Sequence, residues 1–249
     1  MGADEVVAAA GRGRRLPRRA LWVTFDDGNP GTFRAAADLA AAGVSATAFV
    51  CPGVVDTREP LWWQVVDEAI RRNVLPTVMH RGDLTRFRSS LKRAPDSARR
   101  RAVDACREAL NSQVPGGFQV AQATTGDLET WLGHGHHLGN HTWDHPLLDR
   151  CPKEEQKRQI ATAHDWLRER FPSQPPVFAY PNGNRTLYAE GIAASLGYDV
   201  RTLFDHRVAA SNLGAQAVSR VRIDADAPLA RFRAIASGAH PLTFALSHR

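Results

Sequence analysis

The chain has 249 residues, 43% of them hydrophobic, and a formal net charge of +6. That length suits one α/β barrel and a core large enough to fold without disulfides; the three scattered cysteines, Cys51, Cys106 and Cys151, argue against a disulfide framework or a cysteine zinc site and read as small buried hydrophobes. Lysine occurs only at positions 92, 153 and 157, so the basic balance reflects an arginine-biased composition, and no helix-turn-helix, zinc-finger or RNP pattern supports a nucleic-acid partner.

Residues 1–20 read as an N-terminal extension, and 21–249 as a single domain. The apolar run Val6–Ala10 is too short for a signal-peptide core. No stretch approaches the ~18 apolar residues of a membrane span. The expectation is a cytoplasmic protein with no membrane insertion. Leu21–Phe25 reads as a strand ended by the turn-rich Asp26-Asp27-Gly28-Asn29-Pro30. Thr32–Ala42 is alanine-rich and helical, stopped by Gly43. Ala46–Val50 is the next strand, and Leu61–Arg71 the next helix. Residues 80–118 carry Arg81, Arg86, Arg88, Lys92, Arg93, Arg99, Arg100, Arg101 and Arg107 and read as a helical insertion. Within it, Asp96 or Ser97 caps a helix to about Asn111 with Ala102, Val103, Cys106 and Leu110 on one face. Glu154–Phe171 is a strong helix. Val177–Tyr180, Asp199–Phe204, Ala217–Ile223 and Leu242–Leu246 are the remaining strands. Short apolar runs alternating with helical patterns define an α/β fold.

Three pieces carry chemistry. In Thr24-Phe25-Asp26-Asp27-Gly28 a buried strand delivers two adjacent carboxylates to its C-terminal end, where α/β barrels place their sites. Adjacent residues alternate along a strand, so the turn at its end must bring both to one pocket. In His141-Thr142-Trp143-Asp144-His145 the two histidines fall at i and i+4, which places them on one face of a helix. That separation suits a shared metal, and a carboxylate from the first piece completes a two-histidine, one-carboxylate set with open positions. In Phe178-Ala179-Tyr180-Pro181-Asn182-Gly183-Asn184 a strand enters a turn whose N–H groups suit an oxyanion. Each piece alone has a bland reading, as a turn or as surface histidines.

Together, in this order, they resemble the polysaccharide deacetylase family, the NodB-homology domain of the carbohydrate esterase family 4 type. Residues 24–28 look like its first motif, and His141-Thr142-x-x-His145 matches its His-[Ser/Thr]-x-x-His motif. The likeness runs from about Leu21 to Arg222, weakest over 80–118. It implies a distorted (β/α)7 barrel and one divalent metal ion, zinc first, held by Asp27, His141 and His145. It further implies Asp26 as general base, Pro181 and Asn182 beside the oxyanion, and Trp143 in the substrate cleft. The implied reaction is metal-dependent hydrolysis of an N-acetyl group on an amino sugar or sugar-containing small molecule, releasing acetate. The alternatives are amidase or deformylase chemistry on a non-sugar amide, and a catalytically silent carbohydrate-binding member.

The chain departs from the family at several points. Its third motif usually reads Arg-x-Pro-Tyr/Phe, where this chain has Ala179 and Asn182 around Pro181. The arginine that orients the base is therefore missing from its usual place, and Arg220 and Arg222 are the candidates to replace its charge. No Asp-x-x-Asp-Trp motif is visible. His248, beside the C-terminus, is the one candidate for the family's late histidine. His134, His136 and His137 read as a polar loop beside the site; His80, His164, His206 and His240 read as lone surface or packing residues. Trp62 and Trp63 read as helix packing in preference to sugar stacking.

Overall fold

The structure is a computed structural model and describes residues 1–12, 16–17, 19–75, 84–209, 217–224 and 226–238. Among the described residues the sheet holds six parallel strands in the order of the chain: β1 (Val23–Phe25), β2 (Ala46–Val50), β3 (His137–Asn140), β4 (Val177–Ala179), β5 (Val200–Thr202) and β6 (Ala217–Val218). Helices occupy the crossovers from β1 through β5, as parallel neighbours require. The curled sheet with its surrounding helices is the expected distorted (β/α) barrel. The expected strand Leu242–Leu246, with His240 and His248, lies outside the described residues, as do His80 and Arg81.

Parallel strands covered on both faces need no alternation, and β2 is buried at every position. That also explains why β3 escapes the pattern reading. His137-Leu138-Gly139-Asn140 has little strand propensity, yet it pairs with Thr47–Val50 in register. Gly139 is there for space: a Cβ at this position would lie 2.5 Å from the Phe49 ring and 2.9 Å from Val177. His136, read as loop, is buried, with Nε2 2.9 Å from the Ala36 carbonyl.

The first helix, α1 (Ala3–Arg12), lies in the stretch expected as an extension. Its Ala3, Val6 and Ala9 are buried with Phe49, Val177, Ala179 and Val200. The Met1 ammonium donates to the Leu21 carbonyl just ahead of β1, at 3.1 Å. The helix therefore packs at the N-terminal end of the strands, opposite the end where the motifs emerge. The alanine-rich helix expected over Thr32–Ala42 is two, α2 (Pro30–Arg34) and α3 (Ala36–Ala41), parted at Ala35.

The insertion contains α5 (Leu84–Arg93) and α6 (Asp96–Asn111), which follow α4 (Trp62–Arg71). Val65, Val66 and Ala69 of α4 form one core with Leu91 of α5 and Ala102, Val103, Cys106 and Leu110 of α6. The face and extent of α6 are as expected. Its cap is not: the N-cap is Pro95, without a side-chain cap bond, because the Asp96 carboxylate pairs with Arg99 and Arg100 instead. The helix α7 (Thr125–Gly133) starts on a capping box of Thr124 and Asp127. Later helices are α8 (Lys153–Arg170), α9 (Leu187–Ser195) and α10 (Leu229–Ala236). All three cysteines are buried and free. Among the described residues no helix is long and apolar enough to cross a membrane.

Candidate metal centre

Asp26 and Asp27 follow β1 at its C-terminal end. Asp27 adopts φ 73°, the left-handed region that aspartate tolerates better than most residues. This reversal lets neighbouring carboxylates serve one pocket. The two histidines do not lie on a helix, contrary to the spacing argument. They flank an irregular loop after β3, with Thr142 at φ 69° and His145 at φ 60°. These two left-handed residues fold the loop so that the imidazole centroids come within 4.8 Å.

The loop is held from below. Asn140, fully buried, accepts from the Thr142 N–H at 2.7 Å and donates to the Ile160 carbonyl and the Tyr198 hydroxyl, both at 3.0 Å. Gln159 of α8 accepts from the N–H groups of Trp143 (3.0 Å) and Asp144 (3.1 Å) and donates to the Asp144 carboxylate (2.7 Å). His141 donates its backbone N–H to Val50 at 3.0 Å. Such buried, satisfied polar groups fix backbone that would otherwise relax out of the strained region.

Asp27 Oδ1 lies 3.4 Å from His141 Nε2 and 3.3 Å from His145 Nε2. One ligand atom from each of the three residues fits within 4.8 Å. The His141 Nδ1 sits 2.8 Å from the Ala179 carbonyl. A carbonyl only accepts, so Nδ1 carries a hydrogen and Nε2 is the nitrogen turned to Asp27. The His145 ring packs against Trp63 at 4.4 Å between centroids, so Trp63 is a wall of this centre and not merely helix packing. One oxygen and two imidazole nitrogens, both histidines being buried, form a donor set that fits a borderline divalent cation such as zinc. Cys51, whose sulfur lies 3.4 Å from the His141 carbonyl, stays outside the set. Burial, then the charges of Asp27, Asp144 and Asp26, push its thiol well up, so it remains a protonated donor.

Arg220 brings to Asp26 a positive charge that the third motif, with Ala179 in the arginine's place, does not. It reaches in from just after β6, with Nη1 2.7 Å and Nη2 2.8 Å from the two Asp26 oxygens. Nε donates to the Leu203 carbonyl at 2.9 Å, and Nη1 also donates to the Thr24 hydroxyl at 3.0 Å. Arg222 turns away and pairs with Asp224. Burial alone would raise the Asp26 pKa, but the Arg220 charge, the His141 charge and the Arg220 hydrogen bonds outweigh it and hold the carboxyl below its ordinary range. Asp27 is likewise held far down: burial opposes the charge, and the two histidines overcome it.

Of the other residues singled out, Pro181 is buried and follows β4, two positions beyond the carbonyl that holds His141. Asn182 has φ 54°, and its side-chain carbonyl accepts from Lys92 of α5 at 3.1 Å. Trp143 does not enter the metal cluster; it lines a cleft next to it, and its carbonyl accepts from Gly53 at 2.8 Å. Asn140, Gln159 and the Ala179 carbonyl have no role in the sequence motifs, and Trp63 reads there as helix packing in preference to a site residue. Apart from Asn140, which directly precedes His141, these act from elements distant in sequence from the histidines, and a local motif carries no trace of them.

A centre of this kind at the C-terminal end of a curled parallel sheet defines a hydrolase-like barrel with a metal-capable site. The sequence profile of the polysaccharide deacetylase family matches residues 13–201, and the chain belongs to that family. No curated protein sequence matches it. Solved structures share the fold at low identity. The IcaB structure from Ammonifex degensii is 18% identical with a TM-score of 0.59, covering 96% of this chain and 81% of that one. The Streptococcus pyogenes deacetylase PplD, solved in complex with acetate, is 17% identical with a TM-score of 0.57, covering 90% and 73%. The de-N-acetylase from Aggregatibacter actinomycetemcomitans is 12% identical with a TM-score of 0.59, covering 93% and 80%.

Proposed function

We propose that this chain is a metal-dependent N-deacetylase that hydrolyses an acetamide on an amino sugar or sugar-containing small molecule. The observation that carries the reading is the pairing of two sites in one pocket. Asp27 faces both imidazole Nε2 atoms at 3.3–3.4 Å, while its neighbour Asp26 is clamped by Arg220. Asp27, His141 and His145 would hold one divalent ion, and zinc suits the donor set. When bound, that ion supplies Lewis acidity for the acetamide carbonyl and for water.

The remaining work falls to the chain's own groups. Asp26 takes a proton from the attacking water as general base. The Arg220 fork fixes which way both Asp26 oxygens face, so the base is aligned before substrate arrives. A carboxyl held below its ordinary pKa is a reluctant base but a strong acid once protonated. Asp26 is therefore suited to return its proton to the departing nitrogen. In the turn after β4 the Gly183 and Asn184 N–H groups already donate to the Tyr180 and Pro181 carbonyls, so the Asn182 N–H is the one assigned to the oxyanion. His141, with Nδ1 tied to the Ala179 carbonyl, keeps its tautomer throughout.

The reading as a silent binding protein drew on the missing third-motif arginine and on the uncertain late histidine; the Arg220 clamp speaks against the first ground, and His248 lies outside the described residues. An acetate-release screen on metal-loaded protein tests the proposal. It should span acetylated monosaccharides, oligosaccharides and nucleotide sugars, with formamides and simple acetamides alongside. Turnover confined to non-sugar amides would move the assignment to amidase chemistry.

A further inference from the structure

A half-buried histidine outside the metal cluster, His164, stands at the outer end of a hydrogen-bond chain that runs to the metal loop. It lies on α8, one turn beyond Ile160 and just past the Gln159 that holds the same loop. Its ring meets that of Tyr198 edge-on at 5.3 Å between centroids, and its Nδ1 is 3.0 Å from the Tyr198 hydroxyl. Tyr198, between α9 and β5, is only 3% exposed. The same hydroxyl is 3.0 Å from Asn140 Nδ2, and Asn140 Oδ1 is 2.7 Å from the Thr142 nitrogen. Four residues from three separate parts of the chain thus link the flank of α8 to the loop between the two metal-site histidines.

The direction of each hydrogen bond is fixed from the inner end. A backbone N–H only donates, so the Asn140 atom facing Thr142 is the amide oxygen, and Nδ2 faces outwards. Nδ2 donates to the Ile160 carbonyl and to the Tyr198 oxygen. The phenol is therefore an acceptor on that side. Among the described residues its own hydrogen has one remaining destination, His164 Nδ1. His164 must then offer a bare Nδ1, which means a neutral ring with its hydrogen on Nε2. The surroundings agree. Burial, then the Arg168 charge, lower the His164 pKa against the opposing Asp165. Burial pushes the Tyr198 phenol up to about 12, so it keeps the hydrogen it donates. Both charges that reach the His164 ring sit on α8 itself. Of the elements packed on α8, the turn Pro52–Val54 has no titratable side chain, β3 offers the uncharged Asn140, and Tyr198, following α9, is the titratable group that faces the ring.

We propose that Tyr198 and His164 are positioning residues of the metal centre: the phenol, turned outwards onto His164, orients the Asn140 amide, and Asn140 holds Thr142 in the left-handed backbone that brings His141 and His145 together. The inference rests on the metal-centre reading for what the loop holds, and it gives work to a histidine that reads from the sequence as a lone surface or packing residue. Protonation of His164 at Nδ1 reverses the outermost link. The phenol oxygen then faces two donors, and its own buried hydrogen is left without an acceptor. The chain loosens from its outer end, and the loop loses part of its grip on the metal as pH falls through the His164 pKa.

The test measures zinc binding to the chelator-stripped full chain by calorimetry, at about pH 7.5 and about pH 5, on either side of an ordinary histidine. Protonation of the ligands themselves weakens zinc alike in every protein, so ratios between proteins isolate the chain from His164. Tyr198→Phe keeps the ring and deletes the hydroxyl; His164→Leu removes the acceptor. Each should weaken zinc by about 3- to 10-fold at the higher pH, the worth of one hydrogen bond. His164→Asn returns an acceptor that cannot titrate. It should recover most of the loss seen in His164→Leu and bind zinc about 3-fold more tightly than the parent at the lower pH. Tyr198→Phe and His164→Leu as tight as the parent, or parent and His164→Asn with one pH dependence, would overturn the inference. A second readout needs no metal: the Thr142 amide resonance of the stripped parent should show a step on acidification that His164→Asn lacks. That difference in a chain that binds no zinc would keep the link from His164 to the loop and sink the metal-centre reading. Zinc bound by the parent, with the same step in both proteins, would do the reverse.

Discussion

Replacing Arg220 by Gln removes both arms of the fork on Asp26 and leaves a carboxylate that is only a quarter exposed without its counter-charge. Breaking a fully buried pair costs ~3–5 kcal/mol, and the partial exposure of Asp26 brings the expectation here to about 2–3 kcal/mol. For a chain of this size that is a Tm lower by roughly 5–10 °C. The sign with pH follows from the direction of the shift. Asp26 is held below the ordinary aspartate range in the folded parent, so its contribution is complete above that range and is lost as pH falls through the lower folded pKa. The stability gap between parent and variant should be widest near neutral pH and close in acid. In catalysis, burial is then opposed by less charge, so the Asp26 pKa rises and the acidic limb of the kcat/KM profile moves to higher pH. The plateau should drop by on the order of 10²–10³ as the base loses its alignment. Arg220→Lys returns charge but not the two-armed geometry and should recover only part of the loss. Acetate release measured against pH, with metal content checked in each variant, is the assay. A glutamine variant with the parent's plateau and the parent's acidic limb would refute the role given to Arg220.

Other perturbations reach different parts of the site. His141→Ala should cut affinity for zinc by at least about 10²-fold, read by calorimetry on chelator-stripped protein; equal binding would remove Asp27, His141 and His145 as the metal set. Asn140→Ala strips three hydrogen bonds from a fully buried residue beneath the loop. It should destabilise by about 2–4 kcal/mol in urea unfolding and also weaken metal binding, because Thr142 loses the acceptor that holds it left-handed. A variant as stable as the parent would show that the loop does not depend on it.

How much of this could be read from the chain varies with the distance over which each feature is made. Asp26, Asp27, His141 and His145 are legible as short motifs, and the structure brings them to one pocket. Their backbone is not legible: the i,i+4 spacing suggests a helix, whereas left-handed Thr142 and His145, fixed by Asn140 and Gln159, produce the same convergence without one. The charge lost from the third motif was traceable to Arg220 or Arg222, but only the packing of β6 chooses, setting Arg220 against a carboxylate 194 positions earlier. Strand β3 hides because Gly139 answers to the Phe49 and Val177 rings and not to strand propensity. The apolar face of α6 shows plainly in Ala102, Val103, Cys106 and Leu110, while the burial of Arg99 on the same helix runs against every composition rule for arginine.

The central claim is that Asp26 performs proton transfer beside a metal that it does not hold. The most direct measurement is acetate release by zinc-loaded Asp26→Asn against the parent, on the best substrate of the screen, with zinc quantified in the same samples. If Asp26 transfers the proton and does not hold the metal, both proteins carry about one zinc per chain and the variant's rate is lower by on the order of 10²–10⁴. Near-parental turnover with zinc bound, or loss of zinc together with activity, would contradict it.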